Sequence, residues 1–178
     1  AVEVKPSWHL GMSVFETRKR TSEARDYYDN ERVVRKAFAC DWGRCLSQAS
    51  FVKMLKRAAM VSPDADGGEG ELEEVRRAAE GCYQVVSNAF DCYGAAGSGS
   101  PFAVQLNSFN DFLNDCCVPD NQSPACKPSD LDTIFVVANV ETDKKSAESK
   151  ANEDRALMRF EFVEVVVRIA VAKYMKDG

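Results

Sequence analysis

Apolar positions along this chain recur mostly at helical spacing. Thr21 or Ser22 can cap a long first segment with Glu23 in its first turn, and Val33, Val34, Ala37 and Phe38 continue an apolar stripe. A second helix is predicted over Gln48 to Met60, where Phe51, Met54, Leu55 and Ala58 fall on one face. A third runs from Leu72 to Phe90 with Val75, Ala79, Cys82, Tyr83 and Val86. Asn107 or Ser108 can cap a fourth, which carries Phe109, Phe112, Leu113 and Cys116. Polar, glycine-rich or proline-rich stretches separate them at 62–74, 94–101 and 118–130, and residues 1–20 read as an irregular extension.

The last part is apolar at both ends of a charged loop: LDTIFVVANV, then TDKKSAESKANEDR, then LMRFEFVEVVVRIAVAKYM. β-branched residues favour strands here by propensity. Length argues for helix, because residues 158–175 contain no turn signal and strands rarely run so long. On that helix Phe162, Val165, Val166 and Ile169 form one stripe, and Val163, Val167, Ala170 and Tyr174 form another. Glu161, Glu164 and Arg168 leave a narrow polar strip. A helix apolar almost all round is buried on most sides or lends one stripe to a partner, so Val163, Val167, Ala170 and Tyr174 are the partner-binding candidates.

A weak repeat runs through these elements. Val34, Ala37, Phe38 and Cys40 match Val86, Ala89, Phe90 and Cys92, and Leu131, Ile134, Phe135 and Val137 follow the same spacing. Further on, LSQASFVKML aligns with VQLNSFNDFL and LMRFEFVEVV. This resembles the EF-hand: an incoming helix ending in Phe, an aliphatic at loop position eight, a carboxylate at position twelve, then an outgoing helix. The resemblance implies an all-α fold of about three degenerate helix–loop–helix units, at 21–61, 62–118 and 119–178. Leu46, Val104 and Leu157 fill position eight, where EF-hands pair through a short strand. Ser50, Ser108 and Glu161 fill position twelve. From Phe to aliphatic the first unit spans 8 residues, the ordinary length, and the others 14 and 22. DYYDNERVVRKAFACDWGR and RALMRFEFVEVVVRIA are also similar to EF-hand-like modules of protist flagellar and cytoskeletal proteins. That likeness implies a protein partner in the microtubule cytoskeleton or the axoneme of a cilium or flagellum.

The ligand sets fail in all three units, since calcium takes six to eight oxygens. The first loop, Ala39 to Ser50, keeps only Asp41 and carries Arg44 where the chain should turn. The second keeps Asp91. In the third, Asn139, Glu141 and Asp143 have ligand-like spacing but stand out of register and far from Glu161. Those four residues form the alternative reading, a calcium sensor using loop three. The expected reading is a calcium-independent module with no metal and no cofactor.

Composition narrows the classes further. The net charge of −5 and a single dense basic run, Arg18-Lys19-Arg20, argue against nucleic acid as a partner. No run of about 18 apolar residues suits a membrane, and no leader is visible in AVEVKPSWHLG. The seven cysteines form no C-x-x-C pair and the only histidine is His9, so zinc is disfavoured and small, buried, reduced thiols in an intracellular, cytoplasmic protein are expected. One histidine without an interpretable partner makes a hydrolytic triad improbable. GAAGSGSP lacks the Lys and Ser/Thr of a phosphate loop, and Cys116-Cys117 are expected to be structural thiols. The expectation is a non-enzymatic scaffold or docking unit.

Overall fold

A computed structural model describes residues 30–59, 69–139 and 156–174. The predicted cap at Thr21 or Ser22, the acidic linker around Asp64, and Glu141 and Asp143 lie outside them. Six helices and two very short strands are found among the described residues: α1 Glu31–Ser47, α2 Ala49–Ala59, α3 Glu69–Ala96, β1 Val104–Gln105, α4 Leu106–Asp115, α5 Pro128–Ala138, β2 Ala156–Leu157 and α6 Arg159–Tyr174. Contacts divide the chain at Ala37 and Phe38 into two units. The described part of the first is the start of α1. There the Asn30 side chain accepts the Val33 N–H at 3.0 Å, a side-chain cap on an open helix end.

The second unit, 38–178, holds the core. Helix α6 packs on α2, α3 and α5, and α3 packs on α2 and α4. Phe90, Val104, Phe109, Leu131, Phe135, Leu157, Phe162 and Val165 lie together in the main apolar cluster. Phe38, Trp42, Phe51 and Tyr83 form an aromatic chain with ring centroids 5.4–5.7 Å apart, the separation that offset and edge-on rings prefer. The β-branched runs IFVV and FVEVVV are helical, so burial against neighbouring helices overrides strand propensity.

The twelve-residue first loop is not a loop. Residues 39–47 continue α1, and only Gln48 separates α1 from α2. Phe38, Asp41, Trp42 and Cys45 are all buried, and their spacing of three, four and seven is one helix face. That stripe outweighs the weak EF-like spacing, because the segment has no Asn/Asp-Gly turn to break the helix. At the joint the Gln48 N–H donates to Cys45 O at 3.0 Å, and Gln48 O accepts the N–H groups of Phe51 and Val52. Leu46, expected to lie in a strand, is instead 45% exposed on α1.

The other two aligned aliphatics do meet. Val104 pairs with Leu157, and Gln105 with Ala156, in an antiparallel two-stranded sheet. Both aliphatics are wholly buried. Helix α4 follows directly from β1, so its N-cap is Gln105, ahead of the predicted Asn107 or Ser108 and with no side-chain cap bond. Helix α3 runs six residues past Phe90. This is possible because Gly94 lets the returning chain approach: a Cβ there would stand 3.1 Å from Pro101 O. Helix α5 opens with Pro128, and the Asp130 side chain accepts the Lys127 N–H at 3.1 Å.

Candidate functional site

Of the acidic residues singled out by the repeat, Asp41 sits where α1, α3 and α6 meet. Asp41 is buried and accepts three bonds. Arg159 donates from Nε to Oδ2 at 2.6 Å and from Nη2 to Oδ1 at 3.2 Å, and the Tyr83 hydroxyl donates to Oδ2 at 2.5 Å. This fork holds three helices together through one carboxylate. Burial, and then the bond to Asp41, push the Tyr83 hydroxyl well above its ordinary range. The bond to Asp41 likewise holds Arg159 in its charged form.

The strip predicted to be the polar face of α6 is largely internal. Glu161 is buried, and its Oε2 accepts the Met158 N–H at 2.7 Å, satisfying a free donor at the helix start. Glu164 is wholly enclosed. One of its oxygens accepts Arg168 Nε at 2.8 Å, while Oε2 has no hydrogen-bond partner. Burial raises the carboxyl of Glu164, and Arg168 opposes that rise. Arg168 also donates to Ser50 Oγ at 2.8 Å and lies 5.7 Å from the centre of the Phe51 ring. Beside them the Cys45 thiol donates to Phe160 O at 3.1 Å. Enclosure, followed by the charge of Glu164, raises that thiol and keeps it protonated.

The partner-binding candidates do not form one open stripe. Val163 is buried and Val167 half-buried, whereas Ala170 and Tyr174 are exposed. Packing of α2, α3 and α5 around α6 accounts for this, because it leaves only the C-terminal turns of the second stripe open. Asn139 caps the end of α5, with its N–H on Phe135 O. Of the alternative calcium set, therefore, Asn139 and Glu161 stand at helix termini, and the other two residues are not described. No group of three or more His, Cys, Asp or Glu that could hold a metal occurs among the described residues.

Spacing gave no hint of a groove of about 370 Å³ beside the Asp41 fork. Phe90, Phe102, Met158 and Phe160 supply its apolar surface, and Asp41, Asp91, Arg44 and Arg159 its polar groups. Phe102 is 75% exposed. Arg44 lies 5.5 Å from the centre of the Phe160 ring, a cation–π contact. The only available signal was Phe102 itself, an aromatic directly after a glycine-rich turn. A smaller apolar hollow of about 120 Å³ lies among Met54, Ile134, Val137 and Val171, between α2, α5 and α6.

All seven cysteines are free, but the expectation of buried thiols holds only for Cys45 and Cys126; the others, Cys116 and Cys117 among them, stand on outward helix faces or at a helix end and are exposed. No described helix is long and apolar enough to cross a membrane. Comparison with protein-family models, with curated proteins and with solved structures returns no match.

Proposed function

We propose that this chain is a non-enzymatic, calcium-independent docking module built on degenerate EF-hand-like units. Its partner would be a protein of the cytoskeleton, the axoneme of a cilium or flagellum being the setting that the sequence resemblance suggests. The observation that carries the reading is the use made of the carboxylates. Asp41 clamps Arg159 and Tyr83, Glu161 caps its own helix, and Glu164 pairs with Arg168. Calcium would need such oxygens converging on one point, and here they hold helices instead. The meeting of Val104 and Leu157 at aligned repeat positions supports a paired-hand arrangement for α3–α4 and α5–α6. The exposed Phe102 beside its groove supports a docking role, since an aromatic anchor at a pocket is the usual focus of a protein interface.

Calorimetry with calcium tests the first part, and no binding in the micromolar range is expected. Micromolar binding abolished by Glu161→Gln would overturn the reading in favour of a sensor. A photo-crosslinking amino acid at position 102, compared with one at the equally exposed Val85, tests the second. Specific adducts should form from position 102 alone, and equal labelling from both positions would count against docking at the groove.

A further inference from the structure

Three serines in this chain stand directly before a proline: Ser62, Ser100 and Ser123. The fold treats the two described ones differently. Ser123 is buried, and its hydroxyl accepts the Ala125 N–H at 3.3 Å. Ser100 is half-buried in the connection between α3 and β1, where Ser98, Gly99, Pro101 and Phe102 are all exposed. Its carbonyl accepts the Ala103 N–H at 3.2 Å, a four-residue turn with proline at the second position. Its hydroxyl receives the Phe102 N–H at 3.3 Å. Straightening the segment would open these two long bonds, the Ser98 Oγ bond to Gln105 Oε1 at 3.5 Å and the Gly97 N–H bond to Gly94 O at 3.3 Å, and the glycines at 97 and 99 ease the change. Two residues on, Phe102 lines the groove that also holds Arg44 and Arg159.

We infer that Ser100 is a phosphorylation site for a proline-directed serine/threonine kinase, and that its phosphate is received by Arg44 and Arg159 of the adjoining groove. In the transfer, Ser100 Oγ bonds to the γ-phosphorus of a nucleoside triphosphate as the bond to the diphosphate breaks. The hydroxyl proton passes to the kinase's base and the nucleoside diphosphate leaves. The product carries close to two negative charges and three strong acceptor oxygens. Arginine is suited to receive them, because its planar fork matches a phosphate. Asp41 and Asp91 share the groove and oppose the new charge, and the bonds from Arg159 Nε and Nη2 to Asp41 leave the phosphate only the rest of that guanidinium. This inference stands apart from the docking role proposed above.

The folded full chain, carrying Ser62→Ala, is incubated with a purified proline-directed kinase and ATP, and phosphate is mapped by mass spectrometry. Phosphate is expected on Ser100 and not on Ser123, and Pro101→Ala should remove it. Labelling of Ser123 alongside Ser100 would overturn the claim that the fold selects the site. An unlabelled Ser100, where a peptide spanning residues 95–107 is labelled, would overturn the site itself. Phosphorus NMR then reads the second ionisation of the phosphoserine, which lies near pH 6 when unperturbed. It should fall below the peptide's value in the folded chain and return toward it with Arg44→Gln. An unshifted titration would overturn the arginine contact.

Discussion

Cys117 has a backbone φ of +51°, the left-handed region that glycine normally fills. It follows α4 at the position where helices turn away, with Val118 N–H on Leu113 O and Cys117 N–H on Asn114 O, the paired bonds of a Schellman motif. A side chain costs about 1 kcal/mol in that conformation. Cys117→Gly should therefore raise the unfolding midpoint, and urea denaturation measures the gain. Glu164 makes a second residue-scale prediction. Its folded carboxyl titrates above the unfolded one, because burial penalises the charge. The native state thus binds a proton that the unfolded chain has already released, and stability falls as pH rises from the ordinary glutamate value of about 4.3 through the folded value. Denaturation of wild type and Glu164→Gln from pH 4 upward should show wild type losing ground to the variant. A constant difference would mean that Arg168 fully offsets the burial.

At the scale of elements, α1 was the hardest to read. The segment 39–50 carries two patterns, an EF-like interval from Phe38 to Leu46 and a helical stripe of Phe38, Asp41, Trp42 and Cys45. An acidic Asp41 hid the stripe, because its burial depends on Arg159, 118 residues away. The burial of Glu161 and Glu164 was hidden for a similar reason, since a cap and an internal ion pair show only as polar positions in a linear pattern. The second helix was legible from its apolar spacing, α5 through the repeat, and α6 through its length without a turn signal, which outweighed its β-branched composition. The Val104–Leu157 contact was legible too, through the repeat rather than through propensity. Gly43 separates the two patterns for the first segment. It sits inside α1 with nothing near its missing Cβ. Gly43→Ala should stabilise the protein by about 0.5–1 kcal/mol if residues 39–47 are helical. A loop glycine would give no such gain, and thermal denaturation distinguishes the cases.

For the molecule as a whole, Leu157 joins the short sheet to the main cluster. It is wholly buried, pairs with Val104 and belongs to that cluster. Leu157→Ala should cost about 2–5 kcal/mol, read as a lower midpoint in guanidinium. If 38–178 behaves as one cooperative unit, fluorescence of Trp42 and far-UV circular dichroism should report the same transition. Two separate transitions would instead place α1 and α2 outside the cooperative core.

The clasp of Asp41 by Arg159 has a consequence for how the chain is made. Ser50 and Cys45 also find their partners on α6, at separations of 118 and 115 residues. A ribosome adds residues one at a time, so α1 and α2 emerge long before the helix that receives them. Until residues 159–174 clear the exit tunnel, Asp41, Cys45 and Ser50 lack their α6 partners, while Phe38, Trp42 and Phe51 can pack only on one another and on Tyr83. Closure of these distant pairs is slow compared with local helix formation, so α1 and α2 gain their full set of bonds last.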